Sequence, residues 1–261
     1  MKKALAWAAC LLLLCSGLSG CGKTAAKGST RGQVRSDEVQ FSGPAEGDLI
    51  ATISTSLGDI SLVLYPQYAP MAVENFTGLA QQGYYNNNLF HRVVADFAVQ
   101  TGDAQGTGTG GTSIWNGHTY PTERSDALHH YSGAVALACA ADGSVGNLSQ
   151  FYIVQTPQDS VDKAAAKELV DAGVRQSVAD AYRSAGGAPY LDGQDTVFGQ
   201  VYSGMEVVDA IGAVPCDENG RPLEDVVVYG ISIGTYSTAA QADTDQSSSA
   251  SATEETAPAE G

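Results

Sequence analysis

The most informative stretch of this sequence is FHRVVADFAVQTGD, residues 90–103. Its β-branched and aromatic residues are typical of strands, yet two polar side chains, Arg92 and Gln100, lie within the apolar runs. If strands place these two side chains on one surface, both need partners there, because an unpartnered buried polar group is costly. The residues alone leave two interpretations open: a functional pair, or a buried arginine neutralised by a carboxylate.

Short β-rich runs separated by turn residues lie on both sides of this stretch. Residues 49–56 and 60–65 flank Leu57-Gly58-Asp59, which predicts a hairpin. Pro70 suits a first helical turn, and an apolar face continues from it to a stop at Gly83. Many short strands with few helices favour a closed barrel or a sandwich. Further strands are predicted at 89–94, 97–100, 133–139, 150–155, 196–202 and 225–233, with a short helix near 204–211.

Residues 157–189 interrupt the strand pattern with apolar side chains at helical spacing. We expect two helices, divided near Gly173 and ended by Gly186-Gly187. Two interpretations stay open for this insertion. It forms a rim that limits which substrate segments reach a neighbouring site, or it is a peripheral helical hairpin that packs on the strands.

The two ends of the chain have compositions unlike the middle. Residues 1–20 combine Lys2 and Lys3 with an apolar run of fifteen residues, which predicts a secretion signal too short for a comfortable membrane span. The run ends in Leu18-Ser19-Gly20-Cys21, which resembles the lipobox of bacterial lipoproteins. We therefore expect removal of 1–20, acylation of Cys21, for example with palmitate, and attachment to the extracytoplasmic face of the bacterial cell membrane.

The remaining segments define one domain with two polar extensions. Residues 21–47 are rich in Gly, Ser and Thr and predict a flexible linker, and 48–236 have the composition of a folded domain. Residues 237–261 contain acids but no Lys or Arg, which predicts a disordered acidic tail. The formal net charge of −16 argues against nucleic acid as a partner, because phosphate binding needs clustered Lys and Arg.

From Thr55 to about Asp209 the chain resembles a cyclophilin-type peptidyl-prolyl cis-trans isomerase. The resemblance implies a mainly β fold, a closed eight-stranded antiparallel barrel with two capping helices, to which this chain adds the helical insertion at about 157–189. The matching pieces occur in family order: TSLGDISLVLYPQYAPMAVENF (55–76), GYYNNNLFHRV (83–93), Gln100 with Gly102-Asp103, GTGTGGTSIW (106–115), SGAVALA (132–138), SQFYIVQT (149–156) and YLDGQDTVFGQVYSGMEVVDAI (190–211).

The resemblance also implies the site residues. Arg92 matches the family's catalytic arginine, and Gln100 matches the glutamine that supports the arginine and the substrate carbonyl. The remaining residues would form an apolar pocket for the proline ring and a strip of backbone for the flanking peptide. The substrate-binding residues carried over are Phe97, Ala98, Gly108, Ala138, Cys139, Ala140, Gln150, Tyr152, Tyr190 and Leu191.

Several of these positions depart from the family pattern. Where the family commonly has Met, Asn, Phe, Trp and His, this chain has Ala98, Cys139, Tyr152, Tyr190 and Asp195. The Tyr152 hydroxyl must find a partner, and Tyr190 lacks the indole N–H that commonly helps hold the inhibitor cyclosporin. We expect weak cyclosporin sensitivity and altered turnover.

Other functions have less support in the residues. The four histidines form no metal-ligand pattern, so neither a metal nor another cofactor is expected. GTGTGG lacks the Lys-Ser/Thr of a phosphate loop. The expected partners are Xaa-Pro segments of secreted proteins that are unfolded or folding, bound by a monomer. The alternative is a proline-binding chaperone or scaffold with weak catalysis; a solute-binding lipoprotein would require paired α/β lobes.

Overall fold

The computed structural model describes residues 31, 32, 34, 36–138 and 146–239. The predicted signal peptide 1–20, the predicted lipid anchor Cys21, the site candidates Cys139 and Ala140, and residues 240–261 lie outside the described residues. None of the described helices has the length and apolar character needed to cross a membrane.

A nine-stranded sheet organises the described part of the chain, in the order β3-β9-β1-β2-β8-β6-β7-β5-β4. Every ladder within it is antiparallel, so the predicted mainly β antiparallel fold is confirmed. The strands are β1 (Leu49–Thr55), β2 (Gly58–Leu64), β3 (Asn88–Leu89), β4 (Arg92–Val94), β5 (Ala98–Thr101), β6 (Ala134–Leu137), β7 (Phe151–Val154), β8 (Val197–Ser203) and β9 (Val227–Thr235).

The closed eight-stranded barrel is not confirmed, because the sheet has nine strands and its order begins with β3 and ends with β4. Within the described residues no ladder joins these two strands. Only Phe90 and His91 separate them in the chain, and the same extended segment pairs first with β9 and then with β5. The sequence pattern cannot reveal this division, because the run 89–94 has the composition of one continuous strand.

Four α-helices accompany the sheet within the described residues: α1 (Pro70–Gln81), α2 (Lys163–Asp171), α3 (Gln176–Ala185) and α4 (Met205–Gly212). Pro70 occupies the first turn of α1, as predicted. Both predicted helices of the insertion are confirmed, with Gly173 between them and Gly186 after the second. The predicted hairpin is also confirmed, since β1 and β2 pair from Ile50↔Val63 to Thr55↔Gly58.

Alternation along the strands divides the apolar side chains between the two faces of the sheet. One face contributes Val135 and Ile153 to the large core, which also contains buried side chains of α1 and α4. The opposite face contributes Ala136 and Tyr152, which pair across β6 and β7, to a second and smaller cluster. The second cluster supplies the apolar part of the candidate site.

The insertion has an apolar cluster of its own, in which side chains of α2 and α3 pack around Tyr131. The phenolic ring of Tyr182, on α3, lies 4.5 Å from that of Tyr131 between centroids. Arg175, just before α3, donates to both carboxylate oxygens of the buried Glu38 at 3.0 Å. Burial alone would raise the pKa of Glu38, but the Arg175 guanidinium lowers it below its usual value.

Described residues of the predicted flexible linker make specific contacts with the domain. Arg31 donates to both carboxylate oxygens of Asp209 and to the hydroxyl of Ser132, at 2.5 to 2.9 Å. The Gln40 side chain donates to the carbonyl of His129 and to Gln200 Oε1. Composition favours flexibility here, but these partners lie 89 to 178 residues away and cannot be deduced from the linker's own sequence.

Candidate functional site

A cleft of about 670 Å³ lies where β4, β5 and β7 meet three loops. It contains both polar and apolar side chains and two arginines. The lining residues are His91, Arg92, Phe97, Ala98, Gln100, Gly106, Thr107, Gly108, Ala138, Tyr152, Leu191, Asp195, Asp217, Asn219 and Arg221. Eight of the predicted site residues are therefore together in one cleft.

Arg92 and Gln100 are directly opposite each other in the β4–β5 ladder. Opposed residues project from the same face of a sheet, so the two side chains enter the cleft side by side. Arg92 is exposed, and its guanidinium has no ion pair with an acid anywhere in the described part of the chain. The alternative of a buried arginine neutralised by a carboxylate is therefore wrong.

A chain of amide hydrogen bonds fixes the orientation of Gln100. Gln100 Nε2 donates to Gln150 Oε1 at 2.9 Å, and Gln150 Nε2 donates to the carbonyl oxygens of Gly108 and Gly110 at 3.1 and 2.6 Å. Gln150 is not among the residues that line the cleft, and the direct substrate contact expected of it stays a prediction beside this supporting contact. Because Gln100 Nε2 donates to Gln150, Gln100 Oε1 is the atom that can face the cleft as an acceptor.

The glycine-rich loop that receives Gln150 is anchored by Asp103, whose side chain is 1% exposed. Its carboxylate accepts the backbone N–H groups of Gln105, Thr107, Gly108 and Gly110 at 2.8 to 3.2 Å, and also the Thr107 hydroxyl. Burial alone would raise the pKa of Asp103, but these donors lower it below its usual value. The sequence pattern places Asp103 in a family motif without revealing this anchoring.

The apolar half of the cleft is formed by Phe97, Ala98, Ala138, Tyr152 and Leu191. These residues belong to the second cluster, on the face opposite the large core. A proline ring has the size and polarity to occupy such a surface beside the amide groups. The Tyr152 hydroxyl donates to Asp195 Oδ2 at 2.8 Å, so the partner required by sequence reasoning is present.

Tyr190 lies at the edge of the site, outside the set of residues that line the cleft. Its side chain is 64% exposed, and its ring is stacked on Phe97 with centroids 6.3 Å apart and an interplanar angle of 22°. It therefore extends the aromatic surface of the cleft toward solvent. Cys139 and Ala140, predicted to present backbone to the substrate, lie outside the described residues.

The insertion approaches the site through Asp192. The Asp192 carboxylate accepts the Tyr182 hydroxyl at 2.8 Å and contacts Nδ1 of His129 and of His130 at 2.8 and 2.9 Å. Burial alone would raise the pKa of Asp192, but the histidine contacts lower it well below its usual range. The ring of His130 is stacked on that of Tyr152 at 6.3 Å, which connects this cluster to the cleft.

No residue of 157–189 is among the described residues that line the cleft, and the insertion reaches it only through this cluster. This geometry favours the peripheral hairpin over the rim.

Sequence reasoning missed several lining residues, including His91, Asp217, Asn219 and Arg221. His91 is next to Arg92 but is buried, and burial lowers its pKa against the opposing charge of Asp103. The others belong to the turn 217–221, which is more than 100 residues from Arg92 in the chain. The only signal in the sequence is a turn composition, Asp-Glu-Asn-Gly-Arg, which does not indicate where the turn docks.

Comparison with known proteins gives a consistent result at three levels. Residues 50–233 match the family model described as cyclophilin type peptidyl-prolyl cis-trans isomerase/CLD. A relative from Staphylococcus aureus, named as a peptidyl-prolyl cis-trans isomerase, is 38% identical over 188 residues, which are 72% of this chain and 93% of the relative.

A second relative, from Streptococcus pyogenes, is named as a bifunctional phosphatase/peptidyl-prolyl cis-trans isomerase. It is 42% identical over 184 residues, which cover 70% of this chain and 38% of the relative. Among solved structures, a cyclophilin-type isomerase of Cryptosporidium parvum, crystallised in the presence of the dipeptide Ala-Pro, has a TM-score of 0.57 and 26% identity. That match covers 72% of this chain and 99% of the parasite protein.

Proposed function

This chain belongs to the cyclophilin-type peptidyl-prolyl cis-trans isomerase family, and we propose that its cleft directs the Arg92 guanidinium at the nitrogen of a twisted prolyl amide. Rotation about an amide C–N bond costs about 18–20 kcal/mol, because the bond has partial double-bond character. In the twisted state the nitrogen loses conjugation, becomes pyramidal and gains a lone pair that accepts a hydrogen bond. A donor fixed at that position binds the twisted amide better than either planar form and lowers the barrier.

The observation that carries the proposal is the environment of Arg92. It lines the cleft beside Gln100 and is exposed, with no acid paired to it in the described part of the chain. An arginine side chain has five N–H donors and stays protonated at all physiological pH values. Its donors are therefore available to a substrate, whereas an arginine held in an ion pair would have most of them occupied.

Gln100 acts in this proposal as the positioning residue. Its amide nitrogen is committed to Gln150, so its oxygen has a defined direction. The proline ring occupies the apolar surface formed by Phe97, Leu191 and Tyr152, which places the preceding amide beside Arg92. Binding the ring in a fixed place keeps one side of the amide still while the other side rotates.

The cellular part of the proposal rests on the N-terminal sequence. Lipidation of Cys21 would hold the enzyme at the extracytoplasmic face of the bacterial membrane, where it would assist folding of secreted proteins as a monomer without a cofactor. Labelled palmitate should enter the wild-type protein during expression, and Cys21→Ala should incorporate none and leave the membrane fraction. Equal labelling of the two proteins would contradict the anchor.

The catalytic role proposed for Arg92 is tested with an Xaa-Pro peptide, whose cis/trans exchange is followed with and without enzyme. We expect Arg92→Ala to lower kcat/KM by about 100-fold or more, the usual effect of removing one donor to developing charge. Arg92→Lys should recover only part of the loss, because a lysine lacks the planar fork of donors. An Arg92→Ala rate equal to that of the wild type would contradict the mechanism.

The same measurement separates catalysis from proline binding alone. Arg92 is exposed, so both variants should keep the wild-type free energy of unfolding within about 0.5 kcal/mol. If the wild-type protein bound the peptide but exchanged its isomers no faster than buffer, the chaperone or scaffold alternative would replace the isomerase.

A further inference from the structure

The cleft contains a second arginine, Arg221, on a turn that docks directly beside Arg92. The turn is closed by hydrogen bonds between Asp217 and Arg221, from the N–H of Asp217 to the carbonyl of Arg221 at 2.8 Å and from the N–H of Arg221 to Asp217 Oδ1 at 2.9 Å. The N–H of Asn219 donates to the same Oδ1 at 2.8 Å. The turn is therefore a defined structure that holds Arg221 in place.

Gly220 fixes the turn against strand β4. The N–H of Val93 donates to the Gly220 carbonyl at 2.7 Å, and a Cβ at position 220 would lie 2.9 Å from the Val93 carbonyl oxygen. Gly220 also has a φ of +79°, in the left-handed region that favours glycine. A Cβ at position 220 would also lie 3.7 Å from Arg92 Cγ, an ordinary van der Waals distance. The turn therefore packs beside the proposed catalytic arginine.

Arg221 has donors to spare at this position. Its Nη1 donates to the carbonyl of Gly106 across the cleft wall at 3.3 Å, which occupies one of five N–H groups in a long hydrogen bond. The side chain is exposed and forms no ion pair with an acid of the described segments. A bound peptide can therefore use the N–H groups that this one hydrogen bond leaves.

The acids of the cleft are engaged locally. Asp195 accepts the Tyr152 hydroxyl, and Asp217 accepts two N–H groups of its own turn. The two arginines are therefore the charged groups best placed to bind a charged substrate side chain. This local arrangement contrasts with the chain as a whole, whose formal net charge is −16.

We propose that Arg221 is a specificity-determining residue that selects prolyl peptides with a carboxylate side chain within a few residues of the proline. The inference rests on the proposed function, since it concerns the same cleft and the same reaction. A guanidinium pairs with a carboxylate through two parallel hydrogen bonds, which gives direction as well as charge complementarity. The substrate class is thus an acidic prolyl segment of an extended peptide.

The test is a set of peptides that share one Xaa-Pro core and differ at a single flanking position. Glu, Gln or Lys is placed one, two or three residues before or after the Xaa-Pro pair, and kcat/KM is measured by exchange NMR. The enzymes are the wild type, Arg221→Gln, Arg221→Lys and Arg221→Glu. Arg183→Gln is the matched control, because Arg183 is an exposed arginine on α3 that does not line the cleft.

The quantity to compare is the Glu-to-Gln ratio of kcat/KM in the wild type divided by that ratio in Arg221→Gln. Long-range repulsion between an acidic peptide and an acidic protein is common to both and cancels in this double-mutant cycle. We expect a coupling of about 3- to 10-fold at one or two positions, the range of a partly exposed charged pair. Arg221→Lys should retain part of it, Arg221→Glu should shift the preference to Lys, and Arg183→Gln should retain all of it.

The proposal is overturned if the wild type and Arg221→Gln have equal Glu-to-Gln ratios at every position. It is also overturned if Arg183→Gln reduces the Glu-to-Gln ratio as much as Arg221→Gln does, because the effect would then follow the net charge and not the position of Arg221. Either outcome leaves catalysis of the Gln peptide intact and so leaves the isomerase proposal standing. Absence of catalysis on all peptides by the wild type would instead contradict the proposed function itself.

Discussion

The phenolic oxygen of Tyr152 lies 2.8 Å from Asp195 Oδ2, and both residues line the cleft. Both also stand where cyclophilins commonly have other residues, a phenylalanine and a histidine. The two departures compensate each other, because the added hydroxyl on the pocket surface is satisfied by the added carboxylate. A pair of this kind keeps the pocket apolar toward the proline ring while its polar atoms are turned to each other.

The Tyr152–Asp195 pair predicts non-additive mutational effects. Tyr152→Phe and Asp195→Ala should each lower the free energy of unfolding, and the double variant should lose less than the sum. Their coupling should be about 1–2 kcal/mol, a hydrogen bond to a charged group that is partly exposed. Denaturant unfolding of the four proteins measures it. If the losses in unfolding free energy were fully additive, the Tyr152–Asp195 contact would contribute nothing to stability. Other residues would then determine the shape of the proline pocket.

Asp103→Asn should disrupt the glycine-rich loop and, through it, catalysis. The amide NH2 would face backbone N–H groups that now donate to a carboxylate oxygen, so we expect a loss of about 3 kcal/mol in unfolding free energy. Because Gly108 and Gly110 support Gln150, which supports Gln100, kcat/KM should also fall about 10-fold. Denaturant unfolding and peptide exchange measure the two effects.

Asp162→Asn is the matched control for this substitution. Asp162 caps α2 by accepting the N–H of Ala165, and asparagine caps a helix about as well as aspartate. It should therefore change neither stability nor rate. If Asp103→Asn behaved like the control, the loop would be held by something other than the Asp103 carboxylate.

Much of the fold could be predicted because its signals are local. The hairpin around Gly58, the first turn of α1 at Pro70 and the two helices separated by Gly173 all depend on residues close together in the chain. Arg92 and Gln100 were also predictable as a pair, since a short connection between adjacent strands brings them opposite each other. The site residues that were carried over then followed from the family resemblance.

The features that escaped prediction depend on long-range contacts. Arg221 reaches the cleft because Gly220 packs on β4, which no local pattern reveals. Arg31 belongs to a segment whose composition favours flexibility, yet it pairs with Asp209, 178 residues away. The strand count also differs from the predicted eight because of long-range pairing. The segment from Asn88 to Val94 is divided into two strands by its partners, β9 and β5, and not by its own residues.

Stability toward acid should depend on Asp192. Its pKa is lowered in the folded protein, so its contribution to stability is fully present above the unfolded pKa of about 4 and is lost as the pH falls from there through the folded pKa. Asp192→Asn should therefore unfold more easily than the wild type at pH 7, with a difference that shrinks below about pH 4.

Unfolding free energies between pH 3 and pH 7 test this sign. Asp171→Asn, an exposed position on α2, provides the control and should follow the wild-type curve. A difference between Asp192→Asn and wild type that stayed constant, or grew, as the pH fell below about 4 would mean that the carboxylate charge is not what stabilises the cluster of His129, His130 and Tyr182.

Tyr190→Trp should strengthen cyclosporin binding. Cyclophilins commonly have tryptophan at this position, and its indole N–H helps hold the inhibitor, whereas Tyr190, stacked on Phe97, carries its donor at the phenolic oxygen and not at the position of the indole N–H. An indole in the same exposed position can keep the stacking and add the donor, so Kd should fall about 3- to 10-fold, the net effect of one hydrogen bond.

Tyr229→Trp is the control, since Tyr229 is similarly exposed, at 59% against 64%, but lies on β9 outside the cleft. Calorimetric titration of the three proteins gives the comparison. An unchanged Kd for Tyr190→Trp would contradict this explanation and indicate Ala98 as the cause of weak binding. The family commonly has the larger methionine at that position, so alanine makes less apolar contact with the inhibitor. Ala98→Met in the Tyr190→Trp background would then restore affinity where the tryptophan alone had not.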